Sequence, residues 1–109
     1  MLPPSAISVV VVNKSGCNGA AARNAAHLES LGYVASVENE FDPSLVNDID
    51  HSILLYPKNL TPQVAQVTSA LDGVMARLST TVTSFVLVVG WDRESGTLGP
   101  INYMQADCN

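Results

Sequence analysis

Charge is scarce in this 109-residue chain, and basic charge is scarcest: 14% of residues are charged, with five Lys and Arg against ten Asp and Glu, for a formal net charge of −5. Such a balance leaves no electrostatic footprint for a phosphate backbone, so neither nucleic acid nor an anionic membrane surface is expected as a partner. Long hydrophobic runs are missing too. Without about 18 uninterrupted apolar residues, no part of the chain is expected to insert directly into a bilayer. Aromatic residues make up 6%, so Tyr33, Tyr56, Trp91 and Tyr103 are expected in the core or at its margin rather than on a sugar-stacking platform. The two cysteines, Cys17 and Cys108, stand near opposite ends of the chain, which fits neither a metal-ligand spacing nor a CxxC redox motif. They are either one disulfide tying the C-terminal tail to the first loop, worth several kcal/mol in the chain-entropy model, or two unrelated thiols. No metal or cofactor motif occurs.

Apolar residues are plentiful, at 47%, which predicts a packed core of one-domain size. Residues 1–6 read as linker: Met1-Leu2-Pro3-Pro4-Ser5-Ala6 lacks the basic start and apolar run of a signal peptide, so an export signal of the parent protein would lie elsewhere. Residues 7–92 carry the pattern of a domain. Residues 93–109, with Gly96, Gly99, Pro100 and Asn102, read as a tail that is loosely ordered unless something pins it.

Within the patterned region the β-branched run Ile7-Ser8-Val9-Val10-Val11-Val12-Asn13 predicts a buried strand. A turn, Lys14-Ser15-Gly16-Cys17-Asn18-Gly19, follows, with Asn18 as a candidate N-cap. Ala21, Ala22, Ala25, Ala26, Leu28 and Leu31 then mark an amphipathic helix whose small residues allow close approach to a sheet. Gly32 ends it as a C′ glycine, and Tyr33–Val37 resumes as strand. Residues 38–51 are polar enough for an exposed loop. Ser52–Tyr56 predicts a third strand. Thr61-Pro62 predicts a helix start with Thr as N-cap, and Val64, Val67, Leu71, Val74, Met75 and Leu78 continue the stripe. Ser84–Gly90 predicts a fourth strand, buried on both faces.

The order βαββαβ predicts an α/β (α+β) two-layer sandwich, with two helices on one face of a four-stranded sheet. The sheet is ferredoxin-like if the second and third strands form a hairpin, and mixed if the long loop crosses over; we favour the ferredoxin-like form.

The string Val9-Val10-Val11-Val12-Asn13-Lys14-Ser15-Gly16-Cys17-Asn18-Gly19-Ala20-Ala21-Ala22-Arg23 resembles the opening of the LytR C-terminal domain family: an apolar strand, an Asn, a Gly-containing turn, a second Gly and an Ala-rich helix. Leu31-Gly32-Tyr33-Val34, the strand ending at Tyr56, and Val86-Leu87-Val88-Val89-Gly90-Trp91-Asp92 agree with it, so the likeness spans roughly residues 7–92. It implies an accessory domain of LytR-CpsA-Psr cell-envelope proteins of Gram-positive bacteria and actinobacteria, placed beside the catalytic domain or behind a membrane anchor. The arginine and aspartate clusters with which that neighbouring domain transfers glycopolymers are absent here, so its activity is not carried over.

Of the candidate sites, the turn from Asn13 to Gly19 is the foremost, because a strand leading into a helix N-terminus presents backbone N–H groups and a dipole that favour an anion. Asn13, Lys14, Ser15, Gly16, Asn18, Gly19 and Arg23 are its candidate ligand-binding residues. The spacing Gly16-x-x-Gly19 is neither GxGxxG nor a P-loop, and the plainer explanation is that the glycines permit a tight turn. Cys17 beside a helix start is a candidate nucleophile, but His27 and His51 give no evident base. Lys14, Lys58 and Arg93 each follow a strand; a largely parallel sheet would gather them in one pocket, whereas a ferredoxin-like sheet would leave Lys58 and Arg93 at the end opposite Lys14. The acidic residues Glu38, Glu40, Asp42, Asp48 and Asp50 lack the spacing of a calcium loop.

The expectation is therefore a non-catalytic, extracytoplasmic domain, with no cofactor, that contacts peptidoglycan, a glycopolymer or a LytR-CpsA-Psr-type envelope protein. The alternatives are a structural or homodimerising module that buries the sheet face left bare by the helices, and a thiol enzyme or redox module using Cys17.

Overall fold

The computed structural model describes residues 3–15, 19–38, 51–92 and 97–101. Its first strand, β1 (Ser8–Asn13), has Val9 and Val11 fully buried towards one face and Val12 buried towards the other. A strand apolar on both sides must lie inside a sheet. The same holds for Phe85–Val89, which is buried along its whole length. By contrast Val34–Glu38, with Ser36 and Glu38, is mostly exposed and suits an edge. Between β1 and this second strand, β2, runs the helix α1 (Ala20–Ser30), which buries Ala20, Ala21, Ala25 and Leu28.

Gly32 ends α1 as expected. At φ +94° it lets its own N–H reach the Glu29 carbonyl (2.9 Å) and the Tyr33 N–H reach that of Leu28 (3.1 Å), satisfying two of the helix's last carbonyls.

The remaining strands are β3 (Ile53–Tyr56), β4 (Met75–Leu78), β5 (Phe85–Val89), β6 (Trp91–Asp92) and β7 (Thr97–Leu98); a 3₁₀ segment, Lys58–Gln63, leads into a second helix, α2 (Val64–Ala70). The main sheet has five strands in the order β2-β1-β5-β3-β4. β1 pairs in parallel with both β2 and β5, β3 in parallel with β4, and β3 antiparallel with β5. The sheet is thus the mixed form. The ferredoxin-like arrangement that the sequence favoured is not the one adopted, since β1 and β5 separate β2 from β3. Burial explains this: a ferredoxin-like order would put the doubly apolar Phe85–Val89 on an edge, whereas here it sits at the centre.

Two further expectations change. The second helix does not continue to Leu78. It stops at Ala70, Asp72 turns left-handed at φ +57°, Gly73 follows at φ +76°, and the Gly73 N–H caps the Thr68 carbonyl at 2.8 Å. Val74 to Leu78 then run out as an added edge strand. Nor is Thr61 an N-cap; its hydroxyl donates to the Lys58 carbonyl (2.6 Å) within the 3₁₀ segment.

Both helices cover one face, where Leu28, Val67 and Leu71 pack with Val9, Val11, Leu54, Phe85 and Leu87 in a single cluster. His27 of α1 ties them together, its Nε2 lying 3.1 Å from the Ala70 carbonyl oxygen. On the other face Val12, Val86 and Val88 form a second cluster with Val82, flanked by Val10 and Leu55. The pinning of the tail that the sequence left open falls at β7: it pairs with β6, and Leu98 is fully buried.

Candidate functional site

The strand order brings the ends of β1 and β5 side by side, joined where the Lys14 N–H donates to the Val89 carbonyl (2.9 Å). Ligands of α/β sheets commonly bind outside the carboxyl ends of parallel strands, where helices begin. Here β1 ends on Asn13, whose Oδ1 accepts from the Ser15 N–H (3.0 Å) and the Ser15 hydroxyl (2.5 Å). This Asx-type turn fixes the backbone two residues on. Ser15 is fully buried as a result, and Lys14 lies half-buried between the two turn residues.

The chain re-enters at Gly19, at the N-cap position of α1, with φ +81°. A Cβ there would lie 2.8 Å from Nη1 of Arg23. The Arg23 guanidinium is thus folded back over the helix start, adding positive charge where the dipole is already positive. One turn in, Asn24 is fully buried. Its Nδ2 donates to the Ala20 carbonyl (2.9 Å), while its Oδ1, although buried, accepts no hydrogen bond from the described residues. A buried acceptor in that state costs about 1–3 kcal/mol.

Opposite this helix turn lies the β5 exit. The Gly90 N–H donates to Ser52 Oγ at 2.9 Å, and the Gly99 N–H donates to the Gly90 carbonyl at 2.8 Å. Gly99, at φ +68°, leaves only 3.0 Å between a notional Cβ and Asn24 Nδ2. Gly99 therefore packs closely on Asn24, one turn into α1, and a side chain there would have to displace Asn24 or Val89.

Of the residues singled out from the sequence, Asn13, Lys14 and Ser15 form the turn at the end of β1, and Gly19 and Arg23 meet at the start of α1. Gly16, Asn18 and the cysteines Cys17 and Cys108 lie outside the described residues, as do Arg93 and the acidic residues 40–50. The three-cation pocket is not formed: β3 runs against β5, so Lys58, just past its end, lies at the opposite edge. Contrary to the sequence expectation, however, the chain leaves β5 at the same end as Lys14. Sequence reasoning passed over Asn24, although a polar residue on the stripe Ala20, Ala21, Asn24, Ala25, Leu28 was a visible signal. Among the described residues no three His, Cys, Asp or Glu side chains gather to hold a metal, and no helix is long and apolar enough to cross a membrane.

The fold is thus a small α/β domain with a mixed five-stranded sheet, and fold alone does not assign it a function. Residues 6–92 match the family described as LytR cell envelope-related transcriptional attenuator, and the chain belongs to that family. It is accordingly a cell-envelope accessory domain; the family's domain is non-catalytic and typically forms the extracellular part of envelope proteins. Among solved structures, the solution structure of the C-terminal domain of RV0431 is similar, at 25% identity over 75% of this chain and 70% of that one, with a TM-score of 0.48. No curated protein matches the chain.

Proposed function

We propose that this domain is a non-catalytic binding module of an extracytoplasmic envelope protein, and that it contacts peptidoglycan or a wall glycopolymer through the edge built by Asn13, Lys14, Ser15, Gly19 and Arg23. The observation that carries the proposal is the start of α1. There a cationic guanidinium lies over the N-terminal turn, and a buried acceptor on Asn24 lacks a donor among the described residues; Lys14, half-buried at the end of β1, adds the second cation of the proposed surface. Such a site suits a ligand that offers both an anionic group and hydroxyl or amide donors, as muropeptides and glycopolymers do. The acidic remainder of the chain would keep non-specific polyanions away.

The test is co-sedimentation with purified peptidoglycan that retains its attached polymers. The 109-residue chain should pellet with it, and a Lys14→Ala/Arg23→Ala variant should lose most of that binding at unchanged thermal stability. No sedimentation of the unaltered chain, or equal sedimentation of the variant, would contradict the proposal.

A further inference from the structure

The two outer strands of the main sheet, β2 and β4, are both exposed, and among the described residues nothing pairs with their outer edges. Neither carries the Lys, Pro or bulge with which edge strands usually discourage pairing. Hydrogen-bond parity shows which groups they offer. The Val34 N–H bonds to the Ile7 carbonyl across β1 (3.1 Å). By alternation along the parallel ladder, Val34, Ser36 and Glu38 bond inward, and the N–H and C=O groups of Ala35 and Val37 point outward. In the same way the Ser79 N–H bonds to the Tyr56 carbonyl across β3 (2.9 Å). Hence Met75 and Arg77 bond inward, while Ala76 and Leu78 present theirs outward.

We propose that copies of this chain associate head to tail, with β4 of one copy pairing antiparallel to β2 of the next. Direction already fits: β4 runs opposite to β2 within one sheet, so a neighbouring copy in the same orientation presents β4 antiparallel. Placing Leu78 opposite Ala35 and Ala76 opposite Val37 matches outward groups with outward groups and completes four hydrogen bonds. The same register keeps apolar side chains together on the helix-covered face, where Val37 is 44% and Leu78 50% exposed. On the other face Arg77 stands opposite Ser36 and diagonal to Glu38, within reach of an ion pair.

Charge selects this arrangement over its rivals. Pairing β4 with itself in the equivalent register would set Arg77 directly against Arg77, a destabilising like-charge pair. Pairing β2 with itself sets Glu38 against Val34 and gains no ion pair. The head-to-tail contact does not close on two copies, so association extends into short chains of molecules. A contact of this size belongs to the weak class.

Sedimentation velocity from micromolar to millimolar concentration tests this with the 109-residue chain. The unaltered chain should sediment faster as concentration rises. Val37→Pro and Leu78→Pro each remove only an outward N–H, at positions where an edge strand tolerates proline, and each should remain monomeric with an unchanged circular dichroism spectrum. Mixed in equal amounts, the two should form a dimer and nothing larger, because each still has the edge that the other lacks. If either proline variant unfolds, charge reversal replaces it: Glu38→Arg or Arg77→Glu alone should weaken association several-fold, and the two together should restore it. A monomer throughout the concentration range, self-association of either blocked variant, a mixture that stays monomeric, or a double reversal that fails to restore association would overturn the proposal.

Discussion

Gly90 lies against the backbone of His51 so closely that a Cβ on Gly90 would stand 2.6 Å from the His51 carbonyl oxygen and 2.9 Å from its nitrogen. This approach lets the Gly90 N–H donate to Ser52 Oγ and lets β5 pass from the main sheet into the short β6–β7 ribbon at the candidate site. Gly90→Ala should therefore force two backbones apart, at a cost of about 3 kcal/mol, the upper range for overpacking. Thermal unfolding should register a fall in Tm of roughly 12 °C or more. A change of only a degree or two would mean that the two backbones separate easily.

Gly73 tests the break between α2 and β4. At φ +76°, with open space around it, it is held there by conformation alone, and Gly73→Ala should destabilise by about 1 kcal/mol. Were residues 64–78 one continuous helix, the same substitution would stabilise by about 1 kcal/mol. The sign of the shift in the urea midpoint separates the two outcomes.

How far the sequence reveals the fold turns on such places. The valine run of β1, the alanine face of α1 and the left-handed glycine at position 32 are local signals with one physical solution each, and all three appear as expected. Val74, Met75 and Leu78 were ambiguous because their spacing also continues the stripe of Val67 and Leu71. The Asp72-Gly73 pair, a common turn dipeptide, was the competing signal, and pairing of β4 with β3 decides in its favour. For strand order the signal was the doubly apolar fourth strand, which the sequence showed but which the favoured ferredoxin-like order, with that strand on an edge, did not respect. At the candidate site the Gly19 turn was visible, but Asn24 packs against Gly99, which lies about 75 positions further along and is joined to it by no local pattern.

His27 links the helices through the Ala70 carbonyl, one of the last carbonyls of α2 and so without an intrahelical partner. His27→Ala should cost about 1 kcal/mol through loss of that bond. A Gln at the same position, able to donate from its amide, should recover part of the loss. Equal urea midpoints for the unaltered and Ala forms would show that the link contributes nothing.

The most direct test of the binding account is an amide chemical-shift titration of the ¹⁵N-labelled chain with soluble muropeptides and wall-polymer fragments. The account predicts saturable shifts concentrated at Asn13, Lys14, Ser15 and Gly19 through Asn24, all reduced in the Lys14→Ala/Arg23→Ala variant. Shifts confined to other surfaces, or none at any concentration, would contradict it.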